Sequence, residues 1–392
     1  MSPISTKQPP FALLCFGFIV SGVVTVLPGP LLPLLAARWG LRDVQSGFYF
    51  TAIFAASTLA AILAPRRMRW SLPRGYALIT IGVFTLAAAA RALRPALAND
   101  IALAGFALIG LGIGLSVTAT NLIVATVAAD LRGRRLSVVN IWWGIGAVAC
   151  PWIVAASEAA GDLRLVLGLI GFASLAAFIF LLPLREEPQP PAPRTPLGVE
   201  LWVLLYFALM LFLYVGVENT VGGWIATYGN RFTGLSLADA SLLVSIFWMA
   251  LLVGRGVGSR ALRHYSERTV MLCGLVLAIA AVALLMVQLP GVAVVIAVAA
   301  AGFGFGPVFP LGVSRMLARL ADHRNTGWVF ATCASGGALL PWLTGLVSTR
   351  SASLRTAFAV PAVALAVILL LVVIENVALP EPRHAEAASL EA

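Results

Sequence analysis

Twelve apolar runs, each long enough to cross a bilayer as a helix, follow one another along this chain. A hydrocarbon core about 30 Å thick takes roughly 20 helical residues. The runs fall at 11–36, 46–64, 75–93, 101–128, 136–157, 165–184, 201–228, 239–258, 269–288, 291–316, 326–348 and 356–377. Short polar turns separate them, except at 185–200. There Arg185-Glu186-Glu187-Pro188-Gln189-Pro190-Pro191 begins a charged, proline-rich linker. The pattern predicts an all-α integral membrane protein of twelve transmembrane helices in two six-helix repeats. Residues 1–184 form the first bundle, 185–200 a cytoplasmic linker, and 201–392 the second bundle with a short cytoplasmic tail.

The halves resemble each other internally. Gly22, Gly29 and Gly40-Leu41 recur 194 positions on as Gly216, Gly223 and Gly234-Leu235. Gly110, Gly112 and Gly114 recur 192 on as Gly302, Gly304 and Gly306, and Gly146 with Pro151-Trp152 recurs 190 on as Gly336 with Pro341-Trp342. Parallel repeats of this kind put a solute site between the halves, near the midplane. The glycine stripes imply close helix packing first and solute access second. Pro151 and Pro341 are expected to bend their helices, and Trp152 and Trp342 to anchor at the outer membrane interface.

Composition narrows the class. The 392 residues are 60% hydrophobic and 11% charged, with mean hydropathy +0.98, whereas a soluble domain carries about 25% charged residues. A net charge of +10 would suggest nucleic acid in a soluble protein. Here the basic residues sit in short loops with no aromatic-interleaved surface, so no nucleic acid partner is expected. Of 26 lysines and arginines, eighteen fall on the side of the termini and linker and eight on the other. That excess puts both termini in the cytoplasm of a bacterial-type inner membrane. The first run is too long for a signal-peptide core and lacks a small-x-small end, so it is read as a retained span. Cys15, Cys150, Cys273 and Cys333 lie in apolar runs without a C-x-x-C pair, and the three histidines lie in loops or the tail. Neither a metal centre nor a membrane histidine relay is expected. Nor is any cofactor, or an enzyme, since no Ser/His pair or paired acids occupy the spans.

Few strongly polar side chains lie deep in the runs: Asn121, Asn140, Glu218 and Asn219. A mid-membrane charge costs roughly 2.5–3.5 kcal/mol, so it survives only facing protein, water or a ligand. Glu218 could accept hydrogen bonds from a solute or carry a proton, because desolvation penalises its charged form. It could equally be satisfied by neighbouring helices. Tyr214, Glu218, Gly222 and Ile225 share one helical stripe, which makes Tyr214 its expected neighbour. The asparagines offer donors and acceptors to a polyhydroxylated solute, or serve as interhelical glue worth about 0.6 kcal/mol each. Asn140 and Trp143 share a face, where Trp143 could stack on a sugar ring or pack the core. Trp248 and Arg255 lie two turns apart on one face. Arg255 could close a cytoplasmic gate with Asp130, or snorkel. Phe309, three residues past the glycine run, lines the pocket or packs the core.

Several stretches resemble a known family. Trp39-Gly40-Leu41-Arg42-Asp43-Val44-Gln45-Ser46-Gly47 resembles the start of span 2 in the major facilitator superfamily, as do the twelve spans in two repeats. Tyr214-Val215-Gly216-x-Glu218, with Gly223-Trp224 and Tyr228, resembles span 7 of the fucose–galactose–glucose:proton symporters. So do Asn121, Trp248 with Gly254-Arg255, and Gly306-Pro307-x-Phe309-Pro310. The loop Ala64-Pro65-Arg66-Arg67-Met68-Arg69-Trp70 keeps that superfamily's basic residues but not its acid. Span 1 holds no acid, and Val117 stands where span 4 of the symporters carries one, leaving Glu218 nearly alone. The resemblance implies the major facilitator fold and a monomeric secondary transporter. Its partners would be a small polar solute (a sugar or sugar-like compound), protons and membrane lipids, with alternating access and proton symport. An exporter of drugs or metabolites by proton antiport, an uncoupled facilitator and a transport-dead sensor stay open.

Overall fold

The computed structural model describes residues 10–63, 71–92, 94–125, 129–159, 161–182, 200–320 and 326–379, and among them it contains helices and turns without strands. The linker up to Val199, the Ala64–Trp70 loop and the Asp130 side chain lie outside the described residues. In order the helices are α1 (Phe11–Val26), α2 (Pro28–Trp39), α3 (Asp43–Leu63), α4 (Ser71–Ala89), α5 (Pro95–Ala125), α6 (Ala129–Ala159), α7 (Leu163–Leu181) and α8 (Glu200–Phe232). There follow α9 (Leu237–Ala261), α10 (Glu267–Leu284), α11 (Gly291–Phe305), α12 (Val308–Leu317), α13 (Thr326–Ser351), α14 (Leu354–Ala357) and α15 (Ala359–Ala378).

Twelve spans result, because α1 and α2, α11 and α12, and α14 and α15 each continue one crossing. The expected single run at 11–36 is therefore broken. Pro28 lacks the N–H that would continue the ladder, so α1 stops and α2 restarts with Pro28 in its first turn. Pro307 interrupts the tenth span in the same way. Pro151 and Pro341, expected to bend their helices, sit inside the continuous helices α6 and α13. Loop-side starts are capped by side-chain oxygens: Ser236, Ser266 and Ser353 accept from backbone N–H groups three residues on. Asp162 caps α7, and its hydrogen bonds from the Arg164 side chain and backbone hold its carboxyl low, at about 2. Outward faces remain apolar, with Leu169, Phe172, Val292, Ile296 and Val363 exposed. Hydrocarbon is the solvent these side chains suit, while the helical backbone satisfies itself.

The repeated glycines do the same job twice. Gly22 of α1 and Gly146 of α6 pack against each other's helices, at the Trp143 and Ile19 carbonyls. Their counterparts Gly216 of α8 and Gly336 of α13 meet likewise, with Gly216 against the Gly336 carbonyl. Gly110 of α5 abuts Ile53 of α3, and Gly302 of α11 abuts Phe247 of α9. Gly112 faces Gly75 of α4, and Gly304 faces Gly274 of α10. A methyl group at any of these positions would overlap the facing backbone or side chain, so small residues set the interhelical distance.

Candidate functional site

The site is built around the middle of α8, a 33-residue helix that carries Glu218 through an apolar environment. Tyr214, one turn earlier, is buried and donates its Oη–H to Glu218 Oε1 at 3.0 Å. The Tyr214 hydroxyl oxygen also lies 2.9 Å from the Phe305 carbonyl, next to the Gly306-Pro307 break between α11 and α12. One phenolic proton cannot fill both acceptors fully. An ionised carboxylate draws it to Glu218. A protonated carboxyl can instead donate to Tyr214 Oη and leave the phenolic proton for Phe305.

Arg255 enters from α9. Its Nη2 lies 3.6 Å from Glu218 Oε1, an ion pair too long for a hydrogen bond. Its Nε is buried and unpaired. Two turns earlier on the same helix, Trp248 is 3% exposed and its Nε1–H also lacks an acceptor. Trp248 meets the edge of Trp143 from α6, with centroids 5.4 Å apart and planes at 79°. Gly222, one turn past Glu218, leaves room for Phe247 and Trp248 against α8. Phe309 packs on Tyr214 at 5.8 Å.

Trp143, Tyr214, Glu218, Trp248, Arg255 and Phe309 are thus brought together. Arg255 reaches Glu218 here; its expected partner Asp130 lies outside the described side chains. Asn140 is exposed and spends one N–H on the Leu136 carbonyl, and half-buried Asn219 does the same with Val215. Each amide keeps its oxygen and one N–H for other partners. Asn121 is half-buried near the end of α5, a helix that packs chiefly on α3 and α4 rather than on α8 or α9.

The two halves are tied together at one end of this cluster. Arg231, near the end of α8, holds Asp43, at the start of α3, through two bonds: Nη1 to Oδ2 at 2.7 Å and Nη2 to Oδ1 at 2.6 Å. Ser348 of α13 adds a hydrogen bond to Asp43 Oδ2. Below this pair, Val44 N–H donates to Thr349, Thr51 to the Ala338 carbonyl and Trp224 to the Pro341 carbonyl. Gly29 lies against Gly222 and Gly223, and Gly47 lies on the backbone of Trp342. Trp342 of α13, expected to anchor at the lipid interface, packs against α3, with Phe48 5.9 Å from its ring. Trp152 is 59% exposed, on the outer surface. The α6–α9 seam runs through Ser245–Val148 and Trp143–Trp248 to Gly144–Leu252. Past it, towards the end where α1 begins and α15 finishes, Asn140, Ile141 and Gly256 are exposed.

Sequence reasoning missed Asp43, Arg231 and Ser348 as a unit. The one available signal was an acid and an arginine at span ends that twelve-fold alternation places on the same side.

Comparison with known proteins agrees with this architecture. A family model described as Major Facilitator Superfamily matches residues 14–327 and 207–392. The "Glucose/galactose transporter" of Brucella abortus biovar 1 (strain 9-941) is 27% identical over 199 residues, 49% of this chain and 47% of that protein. The same protein of Brucella abortus (strain 2308) matches equally. The chain spans about half the length of the curated relatives it matches. A D-xylose-proton symporter structure superposes with a TM-score of 0.77 at 15% identity, over 95% of this chain and 97% of that one. The transporter FucP in its outward conformation gives 0.62 at 20% identity, over 94% and 98%. A bacterial homolog of the human lysosomal transporter Spinster, inward-facing and occupied, gives 0.71 at 13%, over 93% and 94%. These structures establish the shared fold.

Proposed function

This chain belongs to the major facilitator superfamily, and on that premise we propose that it is a secondary active transporter of a small polar, sugar-like solute, coupled to protons. One observation carries the reading. The Glu218–Arg255–Tyr214 group and the Trp143–Trp248 pair lie where helices of the two halves meet, with the Asp43–Arg231 pair tying the halves together at one end and Asn140 exposed at the other. An alternating-access carrier needs its site in that position, between halves that rock about it. The two bundles, 1–184 and 201–392, are the moving bodies. The arginine bias assigns the Asn140 end to the cytoplasm of the inner membrane, with both termini there. The sugar-related names of relatives and structural neighbours support the solute class.

In this mechanism solute and proton leave towards the cytoplasm from the present state. The seal at Asp43–Arg231 must part while the α6–α9 side closes, before the site can load from outside. Glu218 binds the proton, and Tyr214 redirects its hydroxyl between Glu218 and Phe305 as the carboxyl changes state. Trp143 and Trp248 supply flat apolar surface for a ring or carbon chain, while Asn140, Asn219 and Asn121 offer amides along the path.

The test is transport by the purified chain in proteoliposomes, under an imposed pH gradient and separately in exchange mode. Glu218→Gln is expected to abolish uphill accumulation and retain exchange. Accumulation by that variant at the parent's level would overturn the coupling role. Binding without movement in either mode would identify a sensor rather than a carrier.

A further inference from the structure

The central site holds donors without acceptors. Trp248 Nε1 and Arg255 Nε are buried and unpaired, and Trp248 as a whole is 3% exposed. Buried polar groups left in this state are uncommon in folded proteins and call for a partner. Among the described residues the carboxylate paired with Arg255 is Glu218, and its Oε1 already accepts from Tyr214 at 3.0 Å while Arg255 stands off at 3.6 Å. The other buried carboxylates behave differently. Asp43 holds Arg231 at 2.6 Å, and Glu375 holds Arg315 and Arg319 at 2.9 Å each. Only Arg255 has a loose partner among these pairs.

We propose that the solute carries a carboxylate, that Arg255 is its counter-ion, and that Trp248 Nε1–H is a further donor to it. The chemical class is a monoanionic sugar acid or hydroxy acid rather than a neutral sugar. This rests on the reading of this cluster as the transport site. Guanidinium and carboxylate match as a bidentate, charge-assisted pair. The remaining hydroxyls find the amides of Asn140 and Asn219, and the carbon skeleton lies on Trp143.

Charge balance then supplies the coupling. The groups acting on Glu218 are Arg255 from α9 and Tyr214 on its own helix, and the buried Cys333 thiol of α13 feels the Glu218 charge. With Glu218 ionised and Arg255 cationic, the empty site is neutral. Bringing in one anion leaves a net negative charge in a poorly solvated site, which is unfavourable. One proton on Glu218 restores neutrality, releases Arg255 to the solute, and leaves Tyr214 donating to Phe305. Each anion therefore travels with one proton, and the cycle moves no net charge.

The experiment uses the full chain in proteoliposomes. Radiolabelled D-glucuronate, D-galacturonate and D-gluconate are compared with D-glucose and D-galactose, at zero membrane potential with an imposed pH gradient and in exchange. The expected result is accumulation of at least one acid, unaffected by clamping the potential to either sign. The preference over its neutral counterpart should be at least about tenfold, a typical loss for an unmatched charged group. Arg255→Gln should remove acid transport and leave the melting temperature close to the parent's. Arg255→Lys should restore part of it. Movement of the neutral sugars with none of the acids would overturn this inference and leave the proposed function intact. Potential-dependent acid accumulation would overturn the one-for-one coupling. Failure of both sets to move would overturn the inference together with the function it rests on.

Discussion

Two acid–arginine pairs each place one member on α8, Glu218 and Arg231, about three and a half turns apart, and they are built differently. Arg231 grips Asp43 through two short parallel bonds, with Ser348 adding a third to the same carboxylate. Arg255 faces Glu218 at 3.6 Å with no such fork, and Tyr214 holds the carboxylate instead. The first pair joins helices on either side of the linker and sits at the end where the halves are tied. The second sits away from that end. Short bidentate geometry maximises the Coulombic return on desolvating two charges. A pair left long has not spent that return, and either member can take a new partner at little cost. The contrast separates a latch from an exchangeable site.

Disabling the second pair has the largest expected effect. Glu218→Gln removes the proposed proton carrier, so the gradient-driven accumulation ratio should fall to one while exchange persists, read by tracer uptake. Next comes the latch. Asp43→Asn leaves Arg231 without its counter-charge and weakens the seal. A fully buried pair would cost about 3–5 kcal/mol to break this way, and the partial exposure of Arg231 reduces that. Spin labels at Gln45 and Ser351, near the start of α3 and the end of α13, should then show a new long-distance population. The exchanged pair Asp43→Arg with Arg231→Asp should suppress it. An unchanged distance distribution in Asp43→Asn would show that the glycine-lined seams hold that end without the ion pair.

Smaller effects sharpen the same contrast. Ser348→Ala deletes one hydrogen bond to Asp43 and should destabilise the seal by about 1 kcal/mol, visible as a minor open population. Trp248→Phe keeps most of the ring and removes the unpaired N–H. It should leave the melting temperature of the solute-free protein unchanged or slightly raised, and weaken solute affinity by about threefold to tenfold in a binding titration. A lowered melting temperature with unaltered affinity would make Trp248 a packing residue only.

Much of this was legible along the chain. Helical spacing alone paired Tyr214 with Glu218, four residues apart, because neighbours on one helix are fixed by its period. The glycine recurrences anticipated where helices meet, since the need for a small residue is recorded at each position separately. Which prolines break a helix was not legible for a related reason. Whether a missing N–H breaks a helix depends on what surrounds it: Pro28 and Pro307 coincide with breaks, while Pro151 and Pro341 lie within helices held on both sides by packing. Trp342 looked like its repeat mate Trp152, yet one packs against α3 and the other faces outward. The rotation of each helix within the bundle decides such cases.

By itself the sequence determined the number of spans, their order, the repeated close approaches and the presence of a costly carboxyl at mid-depth. All of these follow from hydropathy, backbone period and side-chain size, which act locally. Only the tertiary structure decided that Arg255 meets Glu218 at arm's length, that Asp43 and Ser348 converge on Arg231 from two other helices, and at which end the halves are tied together. Those contacts join residues up to 305 positions apart. Interhelical geometry at that range is set by the packing of whole helices, which no local pattern encodes.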